Sequence, residues 1–343
     1  MIYVVLLFLF IGLLFYLVFG GADFGVGVLE LFSSKKNRAL NKHTIYRVIG
    51  PVWEANHVWL ILVLVILWVG FPGFYSIAVI QLHLPLTLLL LGIVFRGAAF
   101  IFRHYDAMKD ESQVIYDRVF EYASLFCTLL IGVIAGAVVS GKLVEPTQIE
   151  QLDFYTVYMA SWLNPFSLAM GVFFTGISAY LSATYLIGES KGKQTNYFRK
   201  KMLWANILTV SAGALVFVFA LIGDVPFIWA LLSNYWAILA VVLASVLLIP
   251  IWRGIQRAEK IWIRVFVTLQ VFLILFAYTV AAYPNIGFIG DQGIDILEAQ
   301  SDSAVIRNLG IMLIIGGIII LPGIYHLFKT FGMIKWQVEK EEE

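Results

Sequence analysis

The chain of 343 residues is 61% hydrophobic and only 13% charged, with a mean hydropathy of +0.89 and a formal net charge of +1. A soluble globular protein carries about 25% charged residues, so this composition excludes a soluble globule and gives no reason to expect a nucleic-acid partner. Cys127 is the only cysteine, which excludes a disulfide framework and a cysteine-ligated metal site within the chain.

Long apolar segments follow one another along the chain and predict transmembrane helices. Their approximate spans are 2–32, 46–71, 75–102, 119–140, 156–188, 202–222, 233–252, 263–283 and 305–328. The first segment lacks a basic start and a small-residue cleavage site, so we interpret it as a span rather than a signal peptide. The sequence therefore predicts an all-α polytopic membrane protein with nine transmembrane helices.

An internal repeat is predicted, with one four-helix bundle at 1–140, a second at 155–283, and a peripheral ninth helix at 305–328. Spans 1 and 5 are both unusually long, and each is followed by a connection rich in Lys and Arg. Each also begins a set of four spans in the same orientation. We therefore interpret the chain as a single transmembrane domain built from two parallel-related halves.

The basic residues predict how the chain is oriented in the membrane. Lys and Arg are concentrated in the connections after spans 1, 3, 5 and 7 and in the C-terminal tail, whereas the opposite connections hold only Lys142 and Arg307. Arg96 lies inside the third predicted span. By the positive-inside rule the N-terminus faces outward and the C-terminus faces the cytoplasm, which an odd number of spans also requires.

The stretch GPVWEANHVWL at 50–60 places polar residues inside the second span. Counted from the start of the span, Glu54 lies about 12 Å deep, and His57 lies one turn further in on the same face. Arg47 shares that face closer to the cytoplasm. A charge at such depth costs a few kcal/mol, so this stripe is expected to face protein or water. A titratable proton relay and a polar contact that joins two helices both fit the pattern.

Asp23 is a second candidate, in the stretch GGADFGVGVLE at 20–30. The preceding residues of span 1 already cover about 27 Å, which places Asp23 near the cytoplasmic border of that span. Gly21 and Gly25 have the spacing of small residues that lets helices approach closely. Asp23 is either an ordinary carboxylate at the membrane interface or the cytoplasmic entrance of a proton route to Glu54. Its position in the sequence does not distinguish these two roles.

Paired histidines on facing helices could hold a haem, and only His57 and His83 lie deep in the predicted spans. The other histidines fall in or beside cytoplasmic connections, namely His43, His104 and His326. The FPG turn at 71–73 predicts an antiparallel hairpin in which His57 and His83 differ in depth by about 7 Å. That offset is poor for one haem, and a membrane b-type cytochrome using this pair stays an alternative.

Several motifs, taken in order, resemble subunit II of the cytochrome bd-type quinol oxidases over essentially the whole chain. GGADFGVG is similar to the family's Asp-Gly-Phe-Asp-x-Gly-x-Gly at the end of the first helix, and GPVWEANHVWL is similar to Gly-Pro-x-Trp-acidic-x-Asn-x-Val-Trp in the second. FRGAAFIFR in the third helix, LNPFSL in the fifth, and the late AYPN and ILPGIYHLF also resemble family segments. The order and spacing of these motifs together are specific.

The resemblance implies a subunit of a terminal oxidase in a prokaryotic plasma membrane, which couples quinol oxidation to the reduction of oxygen to water and generates proton motive force. It places two b-type haems, one d-type haem and the quinol and oxygen sites in the homologous subunit I. This chain would bind no cofactor and would be the obligate partner of subunit I, with a small third subunit as a further candidate partner.

The resemblance also assigns a role to the second-helix carboxylate. Glu54 stands at the acidic position that is implicated in bringing protons from the cytoplasm towards the oxygen-reducing haem. Glu54, His57 and Asp23 are therefore the candidates for a proton route through this chain.

Some positions depart from the family pattern. Gly20 replaces the first acidic residue of the first-helix motif, and His57 stands where an acidic or amide residue is common. Ile101 occupies an acidic position of the third helix, and Leu181 and Ser182 replace a common His-Gly pair. The chain thus resembles a divergent branch of the family.

A secondary transporter is the competing interpretation, since parallel repeats and polar residues near the midplane suit one as well. The spans hold few charged residues and no matching pair of Gly- or Pro-broken helices, which counts against transport. A copurifying haem-bearing chain would favour the oxidase, whereas uptake by this chain alone in vesicles would favour the transporter.

Overall fold

The computed structural model describes residues 1–34, 37–38, 45, 53–105, 112–190, 192–257 and 260–330. Within these ranges eight helices are long and apolar enough to cross a membrane, and one bent helix pair makes nine if it counts as a span. The predicted all-α, multi-pass architecture is confirmed. The division into two four-helix halves and a ninth helix stays a prediction.

The first part of the chain forms the helices that carry the polar residues of interest. They are α1 (Ile2–Phe15), α2 (Gly21–Leu31), α3 (Trp53–Gly70), α4 (Pro72–Gln81), α5 (His83–Tyr105) and α6 (Ser112–Val139). A π-helical turn at Tyr16–Gly20 joins α1 to α2, so residues 2–31 form one continuous span.

The remaining helices complete the membrane domain. They are α7 (Phe154–Tyr158), α8 (Pro165–Glu189), α9 (Lys193–Ile222), α10 (Pro226–Ser233), α11 (Tyr235–Val246), α12 (Leu248–Arg257), α13 (Lys260–Ala282), α14 (Ile296–Ala299) and α15 (Ser303–Thr330). Between α13 and α14 an antiparallel hairpin pairs β1 (Asn285–Ile289) with β2 (Gln292–Asp295). β1 lies against α4 and α6, because a Cβ at Gly287 would meet Phe74 and Val138.

The start of the fifth span is set by the LNPFSL motif. The Asn164 side chain accepts a hydrogen bond from the backbone N–H of Ser167 at 2.9 Å, and Pro165 occupies the first helical position, where no N–H is required. This cap begins α8 at residue 165, so the predicted start of the fifth span at 156 is wrong. The residues before it form the separate short helix α7, which Asp153 caps.

The predicted direct hairpin between spans 2 and 3 is also wrong. α3 ends before the buried Phe71, and Pro72 is the first residue of α4. The axes of α3 and α4 differ in direction by 117°. The third span therefore begins at 83 rather than at 75. His83 lies exposed at the start of α5, and its Nδ1 is 2.8 Å from the Ile80 carbonyl oxygen.

Helices α2 and α8 approach closely through glycine. A Cβ at Gly25 would overlap the backbone carbonyl of Ser178, and the Ser182 hydroxyl donates a hydrogen bond to the Ala22 carbonyl. The close approach predicted from the Gly21–Gly25 spacing is thus confirmed. The largest cluster of buried apolar residues surrounds this contact and draws side chains from α2, α5, α6, α8, α9, α12 and α13.

We expect Gly25→Ala to lower the thermal stability of the protein, because even a methyl group would overlap the Ser178 backbone. Gly21→Ala is the matched control, since it lies one turn earlier and its Cβ would meet the Ser178 hydroxyl at an ordinary 3.5 Å. Both replacements gain about 1 kcal/mol of helix propensity. Thermal unfolding measured by size-exclusion chromatography should show a lower Tm for Gly25→Ala only, and equal Tm values would contradict the close approach.

Candidate functional site

Two buried ion pairs join α2 to α5. The Arg96 Nη2 atom lies 2.8 Å from Asp23 Oδ1, and the two Nη atoms of Arg103 each lie 2.7 Å from an oxygen of Glu30. All four side chains belong to residues that are at most 4% exposed. Seven residues separate the two acids in α2 and the two arginines in α5, so the pairs lie about 10 Å apart along parallel spans. We call this arrangement the ion-pair ladder.

The Asp23–Arg96 pair is completed by groups that compensate its removal from water. Arg96 Nη2 also donates to the Asp23 carbonyl at 3.0 Å, and its Nε donates to Ser124 Oγ at 3.0 Å. Ser124 reaches this position because Gly27 of α2 has no Cβ. The guanidinium also lies 4.7 Å from the Phe24 ring centroid. A buried ion pair needs such additional hydrogen bonds, since attraction alone does not offset desolvation.

Phe120 of α6 lies between the two arginines of the ladder. Its ring centroid is 4.9 Å from the Arg96 guanidinium carbon and 4.8 Å from that of Arg103. The Arg103 Nε atom also lies 2.8 Å from an oxygen of Asp117, which belongs to α6 as Phe120 does. One aromatic ring therefore faces both cations, and α6 takes part in holding each of them.

A further set of charges ties the end of α2 to α6. The Arg38 Nε atom lies 2.9 Å from Glu121 Oε1, and the Arg38 guanidinium donates to the carbonyls of Glu30 and Leu31. Arg118 holds the other Glu121 oxygen at 3.0 Å. A cation at the C-terminal end of a helix stabilises its free carbonyls. The ladder is thus anchored at the end of α2 that leads into the first basic connection.

His57 lies beside the ladder. The half-buried His57 ring is 5.8 Å from the Phe24 ring in an edge-on contact, and Phe24 is the residue next to Asp23. His57 Nδ1 and Asp23 Oδ2 are buried and have no hydrogen-bond partner among the described residues. The interpretation of Asp23 as an interfacial carboxylate is wrong, because it is 3% exposed and paired with Arg96. The Glu54 side chain and Arg47 lie outside the described residues.

Most of the ladder was missed in the sequence. Arg96 falls inside the third predicted span, whereas Arg103 falls just beyond it, although it is buried in α5. The sequence gives no sign that Glu30 is buried. One feature of the sequence does indicate the ladder. Asp23 and Glu30 are seven residues apart, and so are Arg96 and Arg103.

His57 and His83 do not form the facing pair that one haem would need. Residues 57 to 70 of α3 cover about 20 Å, and His83 follows only after the bend and α4. The predicted 7 Å difference in depth between His57 and His83 is therefore wrong, because it assumed a direct hairpin. Within the described ranges no three His, Cys, Asp or Glu side chains are grouped so as to hold a metal ion.

Comparison with known proteins identifies relatives of this chain. A family model described as "Cytochrome bd terminal oxidase subunit II" matches residues 1–331. The chain is 26% identical over 193 residues to cytochrome bd ubiquinol oxidase subunit 2 of Bacillus subtilis (strain 168), covering 56% of this chain and 54% of that protein. It is 28% identical over 203 residues to cytochrome bd-I ubiquinol oxidase subunit 2 of Escherichia coli (strain K12), covering 59% and 52%. These alignments span about half the length of the curated relatives.

The fold also has a solved counterpart. A chain in the structure of bd oxidase from Geobacillus thermodenitrificans superposes with a TM-score of 0.76 at 17% identity, covering 97% of this chain and 100% of that chain. At this identity the likeness shows the fold alone. Because the family match extends over almost the whole sequence, the chain belongs to the family of cytochrome bd terminal oxidase subunit II.

Proposed function

We propose that this chain is the haem-free subunit of a membrane quinol oxidase that couples quinol oxidation to the reduction of oxygen to water. Family membership and the names of the relatives as ubiquinol oxidase subunits support this function. In this proposal the b-type and d-type haems and the quinol and oxygen sites belong to a homologous subunit I, with which this chain forms an obligate heterodimer. The separation of His57 from His83 supports placing the haems outside this chain.

The role of this chain within the complex is to conduct protons. Reduction of oxygen to water consumes protons as well as electrons, and a reaction centre buried in a membrane needs a polar path to receive them. The observation that carries this role is the contact of His57 with Phe24, the residue next to Asp23 in the buried Asp23–Arg96 pair, with Glu54 one helical turn earlier in α3. With the basic connections facing the cytoplasm, the route runs inward from the ends of α2 and α3 that lead into those connections.

Each residue of the route has a distinct task. Glu54 takes up a proton, and the imidazole of His57 accepts a proton at one ring nitrogen while it releases one from the other. The Asp23 Oδ2 atom, which is buried and has no described hydrogen-bond partner, is the carboxylate acceptor of the route. Arg96 neutralises the charge of Asp23, so the carboxylate can remain in an apolar interior without the large cost of an unpaired charge.

The second pair of the ladder is a scaffold in this proposal. Both oxygens of Glu30 are engaged by Arg103, which leaves no free acceptor facing the route. Removing one partner of such a buried pair costs about 3–5 kcal/mol because the other charge is left uncompensated. Glu30 and Arg103 therefore hold α2 and α5 in register.

We expect Glu54→Gln to slow oxygen consumption and proton uptake in the assembled complex, while assembly and the haem spectrum persist. The amide keeps hydrogen-bonding capacity but loses the exchangeable carboxyl proton. Glu54→Asp should retain part of the activity, because it keeps a titratable group with a shorter reach. An oxygen electrode and a pH indicator in vesicles measure the two rates with quinol as the electron donor.

Glu189→Gln is the control for this experiment, since Glu189 is a carboxylate at the same end of the membrane domain and pairs with Arg264 at 3.1 Å. Its turnover should match the parent. Parental turnover in Glu54→Gln would remove this carboxylate from the path, and failure of Glu54→Gln to assemble would make Glu54 a structural contact.

We also expect an affinity tag on this chain to recover a second, haem-bearing membrane chain in equal amount. His57→Ala and His83→Ala should leave the haem content per complex unchanged, because neither residue is a ligand in this proposal. Reduced-minus-oxidised spectra and a haem assay on the purified complex measure this. Loss of one b-type signal in His57→Ala would instead favour a cytochrome in this chain, and recovery of the chain alone would contradict the heterodimer.

A further inference from the structure

Tyr16 places a phenol hydroxyl in the interior of the first helices. The residue is 5% exposed, and its hydroxyl is buried with no hydrogen-bond partner among the described residues. Its ring belongs to an apolar cluster with side chains from α2, α3, α5 and α6, namely Phe24, Trp59, Leu89, Cys127 and Leu130. An unsatisfied buried hydroxyl costs about 1–3 kcal/mol, which a phenylalanine would avoid. The Tyr16 hydroxyl therefore needs a hydrogen-bond partner that the surrounding apolar side chains do not supply.

The backbone around Tyr16 accommodates its ring in a specific way. The π-helical turn begins at Tyr16, and such turns are rare and are frequently found at functional sites. A Cβ at Gly20 would lie 2.9 Å from two carbons of the Tyr16 ring, so the absence of a side chain at Gly20 makes room for the ring. The local structure is thus fitted to a large side chain at this position.

The buried Tyr180 and the half-buried Tyr278 differ from Tyr16 because each has a protein partner. The Tyr180 hydroxyl donates to Gln270 Oε1 at 3.2 Å, and the Tyr278 hydroxyl donates to the Ala135 carbonyl at 3.1 Å. Tyr16 instead shares its situation with Asp23 Oδ2 and His57 Nδ1, which are also buried without a described partner.

These unpartnered atoms lie along the same two helices. Tyr16 and Asp23 belong to the first span, while His57 of α3 contacts Phe24, the residue next to Asp23. A buried region with several unsatisfied polar atoms is where internal water is found, since a buried water typically makes about three hydrogen bonds. The hydroxyl, the carboxylate oxygen and the imidazole nitrogen are spread over about 10 Å of the helices, so a chain of several waters is needed to join them.

We propose that Tyr16, Asp23 and His57 hold internal water, and that the Tyr16 hydroxyl is the inner member of the hydrogen-bonded path that carries protons past the Asp23–Arg96 pair. This inference rests on the proton-conducting role proposed above and adds a residue to it. In each transfer the hydroxyl accepts a proton from water on an oxygen lone pair as its own O–H bond breaks towards the next acceptor. The phenol is therefore unchanged after each passage, and no oxidant or reductant is needed.

Depth along the helices places Tyr16 at the inner end of this path. Tyr16 precedes Asp23 by seven residues, which corresponds to about 10 Å further from the basic connections. Contacts between α1 and α3 set the register of these antiparallel helices, since a Cβ at Gly12 would meet Trp59 and Val63, and Phe15 meets Trp59 at 4.6 Å. The order from the basic connections inward is Asp23, then Tyr16 and His57 at a similar level.

The test is Tyr16→Phe in the assembled complex, with Tyr278→Phe as the matched control. Tyr16→Phe removes only an oxygen that no described residue binds, so assembly, haem spectrum and Tm should equal or exceed those of the parent. Turnover and proton uptake should fall about ten-fold or more, with a larger solvent deuterium isotope effect. Tyr278→Phe should show the opposite pattern, a lower Tm from its lost hydrogen bond and parental turnover.

The outcomes separate this inference from the proposed function. If Tyr16→Phe turns over at the parental rate while Glu54→Gln is slow, Tyr16 is off the path and the inference fails while the proposed function stands. If both variants turn over at the parental rate, the proton-conducting role itself fails. A lower Tm or lost assembly in Tyr16→Phe would show that the hydroxyl is a structural contact and would overturn the inference.

A second variant keeps the ring and the hydroxyl and changes only the acidity of the phenol. Difluorotyrosine incorporated at position 16 should assemble as the parent does and should alter the turnover rate, because the moving proton then leaves a more acidic oxygen. Unchanged turnover with the fluorinated residue would contradict transfer through this hydroxyl.

Discussion

The cost of placing charge in an apolar interior is the constraint on which this structure depends. Asp23, Glu30, Arg96, Arg103 and Glu121 are all at most 4% exposed, and each is held by an opposite charge at 3.0 Å or less. Unpaired charges at such depth would cost several kcal/mol each. The relative positions of α2, α5 and α6 therefore depend on bringing these charged side chains together. Apolar side chains then pack around the ion pairs.

The helices were predictable because apolar length is a property of the sequence alone, whereas the partners of the charges were not. Arg96 stood out inside an apolar run, but its partner Asp23 lies 73 residues away, and no local pattern states which helices are neighbours. Arg103 looked like a residue of a basic connection because it ends an apolar run. Only the three-dimensional arrangement shows that α5 continues past it and buries it against Glu30.

The errors at span boundaries have a common physical cause. A proline follows both Phe71 and Asn164. The sequence predicts a simple turn at Phe71 and an uninterrupted span through Asn164. In the structure each proline begins a new helix, because a residue without an N–H is tolerated in the first turn. The depth assigned to His83 followed from that error.

The equal spacing of the ladder limits how the first helices can move. A piston-like slide of α2 along α5 by one turn would break both ion pairs at once and would set Asp23 and Glu30 against apolar residues. A shorter slide of α2 along α5 is also opposed, because the Phe120 ring fills the space between Arg96 and Arg103. We therefore expect α2, α5 and α6 to keep their relative positions during turnover, so that movement beside the ladder is limited to side-chain rotation.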